Sequence, residues 1–182
     1  MRNSHIVFKN SYDCGLSTEE LFKRCLAKLN IFSNIRIASQ HDNHNLHIDI
    51  WATLNKSNKD KSFSIKSMKR IKRHKNLQDE YFIVELANNA HKINPDGWLF
   101  GGAADFIASM RQSYFLVMLM SDLQKFIRSY IQPDFKKRAI KYNNPSPYIV
   151  YYRRENIKRR DYLMLVPYSD IEKYLKCIKL KF

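Results

Sequence analysis

Glycine, proline, cysteine and acidic residues are all scarce in this chain of 182 residues. With four Gly and five Pro, it has neither the glycine period of a collagen nor the composition of a flexible linker. Its three cysteines, Cys14, Cys25 and Cys177, lie far apart and form no Cys-x-x-Cys. That spacing argues against a zinc cluster or a disulfide framework and reads as free thiols in a reducing compartment. No apolar run approaches the roughly 20 residues that a membrane helix needs. The opening Met1-Arg2-Asn3-Ser4-His5 lacks the apolar stretch and small-residue cleavage site of a signal peptide. Yet 45% of the residues are hydrophobic and 13% aromatic, too apolar for intrinsic disorder. The expectation is a soluble intracellular protein of one domain, with no membrane partner.

Acid is what the chain lacks most. Lys and Arg number 32 against 17 Asp and Glu, a formal charge of +15. The excess is concentrated in two segments. From Lys56 to Lys75 nine bases, among them Lys66, Lys69, Arg70, Lys72 and Arg73, face only Asp60. From Lys136 to Arg160 nine more, including Lys136, Lys137, Arg138, Arg153, Arg154, Arg159 and Arg160, face only Glu155. Like charges packed this closely repel unless a polyanion neutralises them, and contact with phosphate gains entropy by releasing counterions. Nucleic acid is the natural partner. An anionic membrane surface competes poorly, because no basic amphipathic helix or lipid anchor is evident. Tyr142, Tyr148, Tyr151 and Tyr152 interleave the second cluster and suit stacking on bases, although tyrosine in a strand also serves ordinary packing.

The hydrophobic period orders the chain. Ser17-Thr18-Glu19-Glu20 reads as a capped helix start, and Leu21, Phe22, Cys25, Leu26 and Leu29 continue it to about residue 30. Residues 34–39, 46–54 and 63–68 read as strands, and 81–87 as a strand buried on both faces. Gly97 to Gly102 marks a tight turn into a helix at 102–110. A strand at 114–120, a helix from Ser121 to about Tyr130, strands at 148–153 and 161–166 and a last helix to about Cys177 follow. The resulting order, αββββαβαββα, predicts a mixed α/β fold with one mixed sheet flanked by helices. The core covers about 17–130, and a basic extension covers 131–182.

The scarce acids then become informative. Asp49 lies between Ile48 and Ile50, and Glu85 between Val84 and Leu86. A carboxylate in an apolar strand is costly unless it is paired, hydrogen-bonded or metal-bound. Lys66 lies on the strand between them, on the same face as Ser64. If the three strands adjoin, Asp49, Lys66 and Glu85 converge at one sheet edge. Two carboxylates and a lysine are the minimum set for metal-assisted phosphodiester hydrolysis, the acids holding Mg²⁺ and the lysine orienting water and stabilising charge.

Asp49, the x-x-Lys of Ser64-Ile65-Lys66 and the basic surround resemble the PD-(D/E)XK, or restriction-endonuclease-like, nuclease superfamily. The blocks Tyr81 to Glu85, Gly97-Trp98-Leu99-Phe100-Gly101 and Ala104-Asp105-Phe106-Ile107-Ala108 are similar to a viral or mobile-element branch of it. The likeness spans roughly residues 17–125. It implies a restriction-endonuclease-like core and a Mg²⁺- or Mn²⁺-dependent endonuclease acting on DNA, often as a homodimer, in the cytoplasm, nucleus or viral factory. Asp49 and Glu85 would hold metal, Lys66 would be the catalytic lysine, and Glu20 or its neighbour Glu19 would lend a further acid from the first helix. Helix capping is the competing account of those two glutamates.

The departure from the family pattern is Ser64, which stands where an Asp or Glu is expected. Either Glu85 supplies the missing charge, or the domain binds nucleic acid without cutting it. An alternative alignment takes Glu85-Leu86-Ala87 as the Glu-x-Lys itself, with Asn88 or Lys92 replacing the lysine. Three lesser readings complete the set. His41, Asp42, His44, His47 and Asp49 cluster, but at spacings that fit no known ligand frame. Asp105 is expected to cap a helix or meet the basic surface, and Trp98 to anchor the core. No Walker A, Rossmann, kinase or nucleophile-elbow motif is present.

Overall fold

The structure, a computed structural model, describes residues 11–68, 80–88, 96–141, 146–156 and 159–182, with side chains outside 11–17 and 154–159. Helix α1 spans Ser11–Lys28. Strands β1 (Phe32–Ile37), β2 (Ile50–Leu54) and β3 (Lys59–Lys66) then form an antiparallel meander. A short helix α2 (Gln40–Leu46) lies between the first two. Strand β4 is Tyr81–Asn88, helix α3 Trp98–Gly101, and strands β5 and β6 are Phe106–Met110 and Tyr114–Leu119. Helices α4 (Met120–Arg128) and α5 (Phe135–Arg138) precede β7 (Ile140–Lys141), β8 (Val150–Asn156) and β9 (Arg159–Pro167). Helix α6 (Tyr168–Tyr174) and strand β10 (Cys177–Lys181) follow.

Among the described residues the strands make two sheets, where one was expected. The six-stranded sheet runs β1-β2-β3-β5-β6-β10, and the four-stranded sheet runs β4-β9-β8-β7. The first is mixed: β5 lies parallel to β3, and its other pairings are antiparallel. The mixed α/β architecture with a central mixed sheet is therefore as expected.

Alternation along the strands divides the core in two. On one face of the large sheet, Phe22, Cys25 and Leu26 of α1 pack on Ile50, Phe63, Ile65, Ala108, Phe115 and Val117. The Phe22 ring lies 4.9 Å from Phe115 and 5.5 Å from Phe63. On the other face Ile107, Leu116 and Met118 meet Phe82, Val84 and Leu86 of β4, Trp98 and Leu99 of α3, and Met164 and Val166 of β9. Residues i and i+1 of one strand thus belong to different cores, as a pleat with period two requires.

Several local expectations are corrected. Helix α1 begins well before Ser17, so Thr18 does not cap it: it is buried, with its hydroxyl 3.7 Å from the Met110 sulfur. The stretch at 46–54 is a strand only from Ile50, because Ser39 caps α2 by accepting the Asp42 N–H at 3.1 Å. His47 ends that helix with φ 52°. The helix expected at 102–110 is strand β5, claimed by its pairing with β3 and β6. Strand β4 is not buried on both faces alike: Phe82, Val84 and Leu86 are buried, and Tyr81, Ile83 and Glu85 are half-buried. No described helix is long and apolar enough to cross a membrane.

Candidate active site

Asp49 immediately precedes β2, and its backbone N–H bonds Phe63 O at 2.9 Å, which seats it beside the end of β3. Asp49 is 8% exposed. Oδ2 accepts from the Ile65 N–H at 2.5 Å and the Ser64 hydroxyl at 3.4 Å, and Oδ1 accepts from Asn43 Nδ2 at 2.6 Å. Burial pushes the Asp49 pKa above the usual carboxylate range, opposed by the Lys66 charge and by these three donors. Even with three hydrogen bonds and a lysine in reach, the desolvation of this carboxylate is under-compensated.

The second acid of the site is Glu19. Its pKa is raised to about 7, first by burial and then by the negative charge of Asp49, while Lys66 lowers it. Lys66, at the last position of β3, therefore acts on both carboxylates. Its ammonium also lies 4.8 Å from the centroid of the Trp98 ring. Ser67, Tyr81, Ser109 and Tyr168 line a cleft beside it, and the Ser109 and Tyr168 hydroxyls are 2.5 Å apart.

Glu20, expected as the ligand from the helix, is turned away. Its side chain is 49% exposed and pairs with Lys23 at 3.9 Å and Arg24 at 4.0 Å. Helical phase separates the two glutamates. Glu19 shares a face with the buried Phe22 and Leu26, three and seven residues on, whereas Glu20 shares one with Lys23 and Arg24. That signal was already present in the sequence.

The strands assumed to adjoin do not all do so. β3 lies between β2 and β5, and β4 belongs to the other sheet, with Glu85 opposite Leu163 of β9. Sheet pairing thus sets Asp49 beside the strand of Lys66 and puts Glu85 on a strand of the other sheet. The Glu85 backbone has a different neighbour: a Cβ added to Gly97 would stand 2.3 Å from its carbonyl oxygen, so α3 rests directly on β4. Only a residue without a side chain allows that approach.

The histidine cluster is dispersed. His41 is 73% exposed and 3.7 Å from Asp42, and Asp42 accepts the Trp51 indole N–H at 3.2 Å. Among the described residues no three His, Cys, Asp or Glu side chains gather as a metal site. Two carboxylates are nonetheless an adequate protein contribution for Mg²⁺, which keeps several waters and takes its remaining oxygens from substrate phosphate. The raised pKa of both acids fits the same ion, because a cation would offset the burial, and after it the Asp49 charge, that raise Glu19. Asp105 lies just before β5 and accepts from the Ser62 N–H at 3.0 Å and the Ser62 hydroxyl at 3.1 Å, fastening β5 to β3.

Of the expected nucleic-acid contacts, Lys69, Arg70, Lys72 and Arg73 lie outside the described residues, as does Tyr142. Lys136, Lys137 and Arg138 are exposed on α5, with Arg138 paired to Asp134 at 2.9 Å. The β8–β9 pair sets Arg154 opposite Arg160 and Arg153 opposite Asp161, with Arg159 one position from Arg160. Arg153 bonds Asp161 at 2.7 Å, and the Arg160 guanidinium lies 5.0 Å from the Tyr152 ring. Tyr151 is fully buried, and Tyr148 stacks on Tyr130 at 4.0 Å while donating to Asp170 at 2.5 Å. These contacts are those of ordinary packing, the other role expected of strand tyrosines.

No family model, curated protein or solved structure matches the chain.

Proposed function

We propose that the protein is a metal-dependent nuclease that hydrolyses DNA phosphodiester bonds, with Glu19, Asp49 and Lys66 as its working residues. The observation that carries this reading is the desolvated carboxylate pair, both members with raised pKa, sharing one lysine at the β2–β3 junction. Two acids and a lysine within electrostatic reach of one another, at the cost of desolvation, support a site for charge. Asp49 and Glu19 would hold Mg²⁺ or Mn²⁺, which when bound acidifies water and neutralises phosphate charge. Asp49 is pre-aimed by Asn43, Ser64 and the Ile65 N–H. Lys66 orients the attacking water and stabilises the charge that builds on the phosphate oxygens. Arginines of the β8–β9 pair and the bases of α5 support a grip on the nucleic-acid backbone. The free thiols of Cys25 and Cys177 support a reducing compartment.

A second reading, nucleic-acid binding without turnover, is favoured by one observation. Ser64, where the superfamily carries an acid, is fully buried and donates to Asp49, so it adds no charge. Plasmid and oligonucleotide cleavage with Mg²⁺ or Mn²⁺ decides between the two. The nuclease cuts, and Glu19→Gln, Asp49→Asn and Lys66→Ala do not. Salt-sensitive binding with no metal-dependent cleavage would leave only the binder.

A further inference from the structure

We infer that Trp98 is the positioning residue for Lys66: its indole face holds the lysine ammonium between the acid pair and the adjoining cleft. The inference rests on the proposed role of Lys66, but the contact itself can be read without any cleavage.

The Lys66 ammonium stands 4.8 Å from the Trp98 ring centroid, inside the roughly 6 Å over which a ring face attracts a cation. Trp98 is only 6% exposed, so the attraction acts largely away from bulk water, where it is least screened. The ring is held from several sides. Phe82 lies 5.8 Å away, the Gly97 N–H bonds Leu86 O at 3.1 Å, and Gly97 sits against the Glu85 carbonyl. Helix α3 is thus pinned to β4, and Trp98 is delivered across from the second sheet to the first.

A ring face adds to the positioning that the strand gives a lysine. Lys66 pairs with Ser109 of β5 at the strand end, but its four-carbon stem is flexible. Glu19 from α1 and Asp49 from the start of β2 both draw on its charge. With those attractors alone the ammonium would settle on the acids, competing with any cation held there. The uncharged π face adds an attraction of its own, directed at the ring, and Lys66 and Trp98 both border the cleft lined by Ser67, Tyr81, Ser109 and Tyr168. Substrate oxygens would approach there.

The test uses the full chain with ¹³C-labelled lysine, Lys66 being assigned by loss of its signal in Lys66→Arg. Ring current should move the Lys66 ε-methylene signal upfield in the wild type. Trp98→Phe should keep part of that shift and Trp98→Leu should abolish it. In Mg²⁺-dependent cleavage, Trp98→Leu should lower kcat about three- to thirtyfold with little change in KM, and Trp98→Phe should recover most of the loss. An ε-methylene shift unchanged in Trp98→Leu would overturn the inference. So would equal losses of kcat in the Phe and Leu variants. If Trp98→Leu does not fold, Trp98→Phe decides, because a wild-type shift undiminished by the smaller ring also overturns it. If the wild type does not cleave, the proposed function fails and the NMR comparison still settles the contact.

Discussion

The carboxylate of Asp49 accepts the backbone N–H of Ile65, the residue immediately before Lys66. The acid at the start of one strand is thereby anchored on the neighbouring strand, next to the lysine that acts on it. Asn43, from the helix inserted before β2, holds the other oxygen at 2.6 Å. Asn43→Ala should therefore leave Asp49 less constrained and reduce cleavage about tenfold, with stability lowered by about 1.5–3 kcal/mol for the lost bond to a charged group. Cleavage kinetics and urea unfolding measure both effects.

Glu19 and Glu20 are adjacent in sequence and should behave as opposites. Glu19→Gln should lower metal-dependent cleavage about a hundredfold or more, as removal of a charge-stabilising group commonly does. Glu20→Gln should leave it within about twofold, because its pairs with Lys23 and Arg24 are exposed. Equal losses in the two variants would refute the assignment of Glu19.

The raised pKa of Glu19 gives stability a definite pH dependence. A carboxyl that holds its proton more tightly when folded contributes stability at low pH and loses it as pH rises. The window runs from the ordinary value of 4.5 to about 7. Without added metal, thermal stability should decline across that range, and Glu19→Gln should flatten the decline. Mg²⁺ should restore stability most above pH 7, where Glu19 is ionised, by about 2.7 kcal/mol at a hundredfold excess over its Kd. Calorimetry with and without EDTA checks the sign.

Ser64 offers a charge-relocation test. Ser64→Asp places a carboxylate at a fully buried position beside Asp49, so without metal it should cost about 1–3 kcal/mol of stability. With Mg²⁺ the cost should shrink. In the Glu19→Gln background, Ser64→Asp should restore part of the lost cleavage. A double variant as inactive as Glu19→Gln alone would show that the strand position cannot replace the helix acid.

Gly97→Ala should act through the Glu85 backbone. The new Cβ would meet the carbonyl oxygen at 2.3 Å, so α3 must lift off β4, at about 1–3 kcal/mol. Trp98 would move with it, and Lys66 would lose its ring partner. Urea unfolding gives the first effect, and the Lys66 methylene signal gives the second.

Where alternation or helical phase was strong, the chain could be read directly. Phe22, Cys25 and Leu26 marked the buried face of α1, and Phe63-Ser64-Ile65-Lys66 marked β3. The failures share a cause. Phe106-Ile107-Ala108-Ser109-Met110 is a short apolar run compatible with helix or buried strand, and only pairing with β3 and β6 made it a strand. Cys177-Ile178-Lys179-Leu180-Lys181 alternates as a strand should, yet the preceding helix signal masked it until its pairing with β6.

The sequence by itself determined the charge balance, the mixed α/β class and the two residues, Asp49 and Lys66, that local alternation put on neighbouring strands. Tertiary structure alone put Glu19 within electrostatic reach of Asp49 and Lys66 and set Glu85 on a strand of the other sheet. Glu85 and Glu19 are both acids near apolar runs, and nothing local ranks them. Those placements came from β4 pairing with β9 in a separate sheet, and from α1 laying its Phe22 face on the large sheet with Glu19 near Asp49 and Lys66. Sheet membership and helix docking are long-range packing outcomes, which a local pattern constrains but does not specify.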